Sequence, residues 1–237
     1  MAVFLARPCA GTVSLPMLGD FDVGTVVKVN VNGTAKEFII VHQGKPSSLY
    51  DDSCDGTWLL MKDIYENRQW HSSNVNEYAN STIHSYLNST FLAMFDSNIQ
   101  KAIKQVKIPY GNGKGSSAVA SGANGLSCKI FLLSGYEVGW TSSDNEYFPQ
   151  DGAKLSYFES GTGTSANNKR IAKLNGSATR WWLRSPYCAR EYNSSRALGV
   201  RLDGNWSFYD CSVSYGIRPA FTLPATTQVG DGNLIGG

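Results

Sequence analysis

Near its start the chain alternates apolar and polar positions in the pattern of a half-buried strand. In the stretch VVKVNVNGTAKEFIIV, residues 26–41, valines recur at every second position before the pair Asn32-Gly33. Asn-Gly is the strongest short signal for a β-hairpin, because both residues tolerate a positive φ. The returning run FIIV is continuously apolar, which predicts a central strand. A third strand is predicted over residues 57–61.

After residue 80 the apolar positions recur with the period of a helix. The stretch NSTIHSYLNSTFLAMF, residues 80–95, places its apolar side chains on one helical face, with Asn80 or Ser81 as the N-cap. A second helix is predicted to begin after Asp96, which would cap it, and to be ended by Pro109. Its inner face would carry Ile99, Ala102, Ile103 and Val106.

The middle of the chain is rich in glycine, serine and asparagine, which predicts loops. The segment GNGKGSSAVASGANG, residues 111–125, is expected to be a flexible loop. A strand is predicted over residues 129–133. Residues 140–178 have few periodic apolar positions, so we expect long loops with one short helix near Arg170.

The last fifth of the chain is predicted to return to strands. They are expected over residues 182–185, 197–202, 205–208 and 217–223. Asp203-Gly204 predicts a second hairpin turn, and Pro219 places the last strand at an edge or a bulge. We therefore expect one α+β domain over residues 24–224, with two helices, long loops and a twisted antiparallel C-terminal sheet. An N-terminal segment, 1–23, would precede it, and a loosely held tail, 225–237, would follow.

Composition narrows the classes of function. The 237 residues carry a net charge of +2 without a long run of one sign, so we expect no nucleic-acid partner. No apolar stretch reaches the roughly 18 residues of a membrane span, and we expect no membrane insertion. A short apolar patch at the start runs directly into Arg7 and Pro8, which is a poor secretory signal. We expect synthesis in the cytoplasm.

The sequence lacks the common catalytic and metal-binding motifs. The five cysteines form no C-x-x-C pair, which argues against a zinc site and against a disulfide framework. The three histidines belong to no hydrolase or metalloprotease motif, and no phosphate-binding loop is present. The loop with Asp51, Asp52 and Asp55 lacks EF-hand spacing, so it is either a solvated loop or a weak cation site. We expect no enzyme activity, no cofactor and no metal.

The stretch WWLRSPYCAREYNSSRALGVRLDGNWSFYDCSVSYGIRPAF, residues 181–221, has a polar centre. Its two ends carry aromatic and basic residues and prolines. Its centre mixes tyrosine, serine, asparagine and arginine, the residue types with which antibody loops bind. The alternative is an ordinary exposed loop of a sheet. The candidate ligand-binding residues are Tyr187, Arg190, Glu191, Tyr192, Asn193, Ser194, Ser195, Arg196, Asn205, Trp206, Tyr209, Asp210, Ser212, Ser214 and Tyr215.

The ends of this stretch are predicted to be scaffold. They comprise Trp181, Trp182, Arg184, Gly216, Arg218 and Pro219. The two tryptophans are adjacent in a strand, so one should be buried and the other partly covered. Arginines in apolar surroundings need partners, and we expect Arg184 and Arg218 to bind carboxylates or backbone carbonyls. The alternative for these two arginines is an anion site.

The motifs WWLRSP at 181–186 and YGIRPAF at 215–221 resemble the ending of a bacterial and phage domain of unknown function. Weaker likenesses lie at Trp70–Ser73, in the helix after residue 80 and at 129–139, so the resemblance covers roughly residues 24–224. The same ending is similar to variable proteins diversified by retroelements. The resemblance implies a C-type-lectin-like fold, related to the formylglycine-generating enzyme, with changeable residues displayed on a rigid scaffold.

This resemblance implies a non-catalytic protein that binds a host cell-surface protein or glycan. Such a protein would be a receptor-binding component of a phage tail or virion, in contact with other virion proteins and homo-oligomeric, or would lie on a bacterial cell surface. One alternative is a structural virion protein, a decoration or fibre subunit without a specific ligand. The other is an enzyme of the formylglycine-generating type. Cys188 and Cys211 lie 23 positions apart and do not match its closely spaced cysteines.

Overall fold

The computed structural model describes residues 14–140, 146–189 and 194–236. Within these ranges the chain is mixed α+β, mostly sheet, as predicted. None of its described helices has the length and apolar character needed to cross a membrane. The strands in chain order are β1 (Val26–Val31), β2 (Thr34–Gln43), β3 (Thr57–Met61), β4 (Asn67–Gln69), β5 (Val106–Ile108), β6 (Tyr110–Gly113), β7 (Ser116–Ala120), β8 (Leu126–Cys128), β9 (Ile130–Phe131), β10 (Lys173–Leu174), β11 (Ser177–Ala178), β12 (Trp181–Pro186), β13 (Arg196–Val200), β14 (Trp206–Asp210), β15 (Ser214–Gly216), β16 (Ala220–Leu223) and β17 (Leu234–Ile235).

One of the two large sheets has six strands in the order β17-β1-β2-β3-β16-β9. The predicted first hairpin is confirmed: β1 and β2 are antiparallel, and Asn32 and Gly33 both have positive φ, 51° and 69°. Strand β2 is central, and its apolar run faces two different cores. Phe38 and Ile40 enter one core, whereas Ile39 and Val41 enter the other. Burial on both faces explains why this run does not alternate with polar residues.

The other large sheet has five strands in the order β14-β13-β12-β15-β4. The predicted second hairpin is confirmed, with β13 and β14 antiparallel on either side of Asp203-Gly204. The prediction of one C-terminal sheet is wrong, because β16 leaves this sheet and pairs with β3 and β9 of the other. Pro219 therefore marks neither an edge nor a bulge. It directly precedes β16, and its carbonyl accepts a hydrogen bond from the Met61 amide.

The helices are shorter than predicted. Helix α1 (Thr82–Tyr86) is capped by Ser81, whose hydroxyl accepts the His84 amide, and it continues through one π turn and one 3₁₀ turn to Met94. Helix α2 (Ser97–Ala102) ends before Val106, which belongs to β5 instead. Asp96 occupies its N-cap position without making a side-chain cap bond. The short helix predicted near Arg170 is confirmed as α3 (Thr164–Arg170).

Two segments differ from the expectation of loose structure. Residues 111–125 are not a flexible loop, because β6 and β7 form a hairpin around Lys114 and Gly115, both with positive φ. The small and polar residues of this segment form the hairpin turn. The tail was expected to be loosely held, yet β17 pairs in parallel with β1 and the Ile235 side chain is buried.

Trp181 and Trp182 differ from expectation because both are fully buried. Successive side chains of a strand point to opposite faces, and each face of β12 meets a core. Trp182 packs in the core with Phe38 and Phe221, and Trp181 packs in the core with Trp58 and Phe131. Strand β12 is thereby fixed from both sides, which gives the neighbouring strands a rigid support.

Candidate ligand-binding surface

A buried ion pair anchors β12 beneath the candidate surface. Arg184 donates from Nη1 to Oε2 of Glu137 at 2.6 Å and from Nη2 to Oε1 at 2.7 Å, with both side chains fully buried. The guanidinium also reaches the carbonyls of Pro109, Leu132 and Asp151. Burial opposes the charge, but Glu137 outweighs it and raises the pKa of Arg184 above its ordinary value. The expected carboxylate and carbonyl partners of Arg184 are both present.

Further buried polar groups extend this anchor. The Tyr50 hydroxyl donates to Glu137 Oε1 at 2.7 Å, and the Ser185 hydroxyl donates to Asp151 Oδ1 at 2.8 Å. Burial raises the pKa of Asp151 to about 6, against the smaller lowering effects of Arg184 and the Ser185 hydrogen bond. Its Oδ2 is buried and has no hydrogen-bond partner in the part of the chain that the structure describes. The network ties the segment before β10 to β12.

Two other scaffold residues act through shape and backbone contacts. A Cβ on Gly216 would lie 2.7 Å from the Ile64 side chain and 2.9 Å from the Arg180 carbonyl, so only glycine fits there. Arg218 donates to the carbonyls of Met61 and Lys62. Unlike Arg184, Arg218 makes no ion pair with a carboxylate in the described part of the chain.

Strand β14 is an edge strand, and it carries the candidate surface. Within the described residues it pairs with β13 alone, and all five of its residues are partly exposed. Its side chains alternate between the two faces of the sheet. Trp206 and Phe208 pack beside one core, and Tyr209 packs beside the other. The candidate residues therefore divide between two faces and do not form one continuous patch.

The first group, here called the aromatic edge, comprises Tyr147, Tyr187, Trp206 and Phe208. The Tyr187 and Phe208 ring centroids are 4.4 Å apart, and those of Trp206 and Phe208 are 5.3 Å apart. Tyr147 lies 5.6 Å from Trp206 and 6.3 Å from Phe208. All four side chains are partly exposed. Four touching, half-exposed rings form an apolar platform with polar hydroxyls, which suits recognition by contact.

The second group, here called the tyrosine patch, comprises Arg180, Tyr209 and Tyr215 above buried Trp182. The centroids of Tyr209 and Tyr215 are 4.5 Å apart, and both rings pack on Trp182. Arg180 lies 5.8 Å above each tyrosine ring, and its Nε donates to the Tyr209 hydroxyl at 3.1 Å. Arg180 is thus held by cation–π contacts and a hydrogen bond, and remains partly exposed.

The remaining candidate residues line the strand ends and turns. Arg196 and Asp210 form an ion pair at 3.1 Å across β13 and β14. Ser212 receives a hydrogen bond at its carbonyl from Gln69, and Ser214 is exposed in β15. Ser194, Ser195 and Asn205 occupy turns beside these strands. The candidates Arg190, Glu191, Tyr192 and Asn193 lie outside the described residues.

Sequence reasoning missed three residues of this region. Tyr147 and Arg180 complete the two aromatic groups, and Asn76 links Tyr187, directly after β12, to Arg196, the first residue of β13. The buried Asn76 amide donates to the carbonyls of Tyr187 at 2.9 Å and Arg196 at 2.8 Å. An isolated asparagine and a distant tyrosine carry no motif, so no sequence signal pointed to them. Arg180 directly precedes WWLRSP, and only its position there could have drawn attention.

The Cys188 and Cys211 thiols and the His84 imidazole are poorly suited to nucleophilic or acid–base chemistry at neutral pH. Cys188 and Cys211 are free thiols, and burial raises the pKa of Cys188 to about 11 and that of Cys211 further still. Burial lowers the pKa of His84 to about 4. In the described ranges no group of three His, Cys, Asp or Glu side chains is placed to hold a metal ion.

A comparison with protein families assigns the chain. Residues 55–225, most of the sequence, match the family described as "Domain of unknown function (DUF6273)". The chain belongs to this family. The DUF6273 region includes β3, the whole five-stranded sheet and β16, and hence both aromatic groups. No curated protein and no solved structure matches the chain.

Proposed function

We propose that the protein is a non-catalytic ligand-binding protein whose contact surface is the aromatic edge, supplemented by the tyrosine patch. The aromatic edge carries the proposal, because half-exposed tyrosine and tryptophan rings provide large contact area at a small cost in conformational entropy. Isolated exposed apolar residues are common, whereas here four partly exposed rings are joined by ring contacts around an edge strand.

The support beneath the rings favours binding over an incidental patch. Strand β12 is packed on both faces and held by the Arg184–Glu137 pair, and Asn76 bonds to Tyr187 and Arg196 next to the aromatic edge. Side chains on such a base lose little freedom when a ligand binds. We propose a C-type-lectin-like arrangement, in which a fixed sheet presents exchangeable residues at its edge.

We propose a protein or glycan of a bacterial cell surface as the ligand, and a phage tail or virion as the location of the protein. One contact face of this size binds weakly. Display of several copies in a homo-oligomer compensates through a high effective concentration. The rival is a structural virion subunit of the same fold without a specific ligand.

Binding of the fluorescently labelled protein to a panel of bacterial cells tests the proposal. We expect saturable binding to a subset of cells, with Kd raised about tenfold or more by Trp206→Ala or Tyr187→Ala. Tyr65→Ala is the matched control, because Tyr65 is also a half-buried tyrosine but packs on Phe91, away from β14. Treatment of the cells before the assay identifies the class of ligand. Protease treatment abolishes binding to a protein ligand, whereas periodate oxidation abolishes binding to a glycan.

Absence of saturable binding to any cell would favour the structural rival. Binding that survives Trp206→Ala and Tyr187→Ala unchanged would place the contact elsewhere and defeat the proposal for the aromatic edge. Circular dichroism of each variant separates a lost contact from a lost fold.

A further inference from the structure

Three large arginines are buried in the described part of the protein, and they differ in how their charge is satisfied. Arg184 has Glu137 and three carbonyls, as described above. Arg170 donates to the carbonyls of Val138, Glu159 and Gly161 and to the Asn167 side chain. Arg218 is only 1% exposed and donates from Nε and Nη2 to two carbonyls, but its Nη1 has no hydrogen-bond partner among the described residues.

An unpartnered guanidinium nitrogen in the interior is energetically costly, so it calls for an explanation. The Arg218 guanidinium stacks on Trp181, with 4.6 Å between Cζ and the ring centroid. Burial lowers the pKa of Arg218 to about 10, and nearby Tyr157 and Asp63 offset this only in part. The charge is thus held without the carboxylate that neutralises Arg184.

Arg218 lines an open cavity of about 340 Å³ between the six-stranded sheet and α3. Lys62, Lys169 and Lys173 also line it, together with one carboxylate, Asp63. Lys62 is paired with Glu37 at 2.7 Å, and Lys169 is paired with Glu159 at 3.1 Å. Asp63 accepts the Lys173 amide at 3.0 Å, while the Lys173 side chain is exposed.

Hydrogen-bond donors of several kinds meet in this cavity. The lining includes Tyr157 and Asn168, whose side chains carry a hydroxyl and an amide, beside the four cationic residues. Such a set matches an oxyanion, which offers several acceptor oxygens and a charge that Arg and Lys neutralise. Asp63 is the one carboxylate in the lining. Glu37 and Glu159 pair with Lys62 and Lys169, so Arg218 and Lys173 are the two cations of the lining that form no ion pair among the described residues.

We propose that this cavity is a binding site for a phosphate-type oxyanion, held by Arg218 and Lys173 with Lys62 and Lys169 at its rim. The site lies beside β2, β3 and α3, apart from the aromatic edge on β14. The proposal therefore does not depend on the proposed ligand-binding function. Inorganic phosphate and the phosphate group of a sugar share this chemistry, and the test separates them.

Titration of the ¹⁵N-labelled protein with inorganic phosphate, at ionic strength matched with sodium chloride, tests the site. We expect saturable shifts of the Arg218 Nε–Hε resonance, identified by its loss in Arg218→Lys, and of the Lys173 amide. Lys173→Gln should raise the Kd for phosphate about two- to fivefold, as for loss of one partly solvated charge pair. Lys101→Gln, an exposed lysine of α2, should leave it unchanged.

Two results would overturn the proposal. One is the absence of saturable shifts at Arg218 and Lys173 with millimolar phosphate. The other is a Kd that Lys173→Gln and Lys169→Gln leave unchanged; both replace accessible side chains, so they test the site even if Arg218→Lys does not fold. The same titration with glucose 6-phosphate identifies the source of the phosphate group, with glucose as the control. If glucose 6-phosphate binds more tightly than inorganic phosphate, the ligand is a phosphorylated sugar. If the two bind equally, the ligand is the free ion.

Discussion

Arg184 and Glu137 form a two-pronged ion pair in which both side chains are wholly excluded from solvent. The pair joins β12 to the segment after β9, 47 positions away along the chain. Buried pairs of this kind contribute little compared with a well-packed apolar pair, but the loss of one partner leaves an uncompensated charge. The pair thus makes the position of β12 dependent on both residues at once.

Glu137→Gln is expected to lower the free energy of unfolding by about 3–5 kcal/mol, because it leaves the Arg184 charge buried without a counter-ion. Urea unfolding followed by tryptophan fluorescence measures this change. The matched control is Glu37→Gln, which breaks the exposed Lys62–Glu37 pair and should cost less than about 1 kcal/mol. Equal losses of unfolding free energy in the two variants would show that the buried pair contributes no more to stability than the exposed pair.

The double variant Arg184→Met with Glu137→Leu should be less destabilised than the sum of its two single variants. Replacement of both charges by apolar side chains removes the desolvation cost together with the attraction. Additive losses in a double-mutant cycle, again from urea unfolding, would mean that the two residues act independently.

Asp151 should make stability depend on pH in the range between about 4 and 6. Its pKa is 3.8 when unperturbed and about 6 in the folded protein, so the folded state binds the proton more tightly. The stabilising contribution of the protonated group is complete below pH 3.8 and is lost as the pH rises through 6. The shift corresponds to about 3 kcal/mol at most.

Asp151→Asn removes this titration and keeps an acceptor for the Ser185 hydroxyl. The difference in free energy of unfolding, variant minus wild type, should therefore increase between pH 4 and pH 7. Urea unfolding at several pH values measures this difference. The other carboxylates are present in both proteins, so their pH-dependent contributions to the free energy of unfolding cancel. A difference that stays constant, or decreases, across this range would contradict the raised pKa.

Gly204 couples the β13–β14 hairpin to α3, and its replacement should be costly. Gly204 has a φ of 77°, and a Cβ there would lie 2.1 Å from the Asn167 carbonyl oxygen. Gly33 provides the control, because its φ is similar, 69°, but a Cβ would meet nothing within 4 Å. Gly33→Ala should lower the free energy of unfolding by about 1 kcal/mol through backbone strain alone. Gly204→Ala should lower it by clearly more, because the steric clash adds to the strain. Thermal unfolding of both variants compares them, and similar losses would refute the steric argument.

Local sequence signals predicted the hairpins correctly and failed for long-range partners. Asn32-Gly33 and Asp203-Gly204 determine their turns through their own φ preferences, so neighbouring residues suffice to predict them. The departure of β16 to the other sheet depends on pairing with Leu59 and Ile130, which lie far away in the chain. Register across such distances is decided by burial and not by any adjacent residue.

The candidate surface was predicted by composition, and its division into two faces was not. The alternation of side chains along β14 separates Trp206 from Tyr209, but only the placement of both cores shows that each face is half covered. Glu137, within the run GYEVG, has no motif, and its partner lies on a later strand. The Arg218 cavity likewise required the packing of α3 against the sheet, because its lysines come from separate segments.

Natural variation should follow the exposure pattern of β13 and β14. If the gene is diversified, substitutions at adenine-containing codons will concentrate within 187–215, at the partly exposed Tyr187, Asn205 and Tyr209. Positions 181–186 and 216–221 should stay constant, and so should Leu198 within the variable stretch, because it is fully buried. Deep sequencing of this gene across a natural population, scored codon by codon, measures the pattern. Substitutions spread evenly along the chain would remove the support for a diversified surface and favour the structural virion subunit.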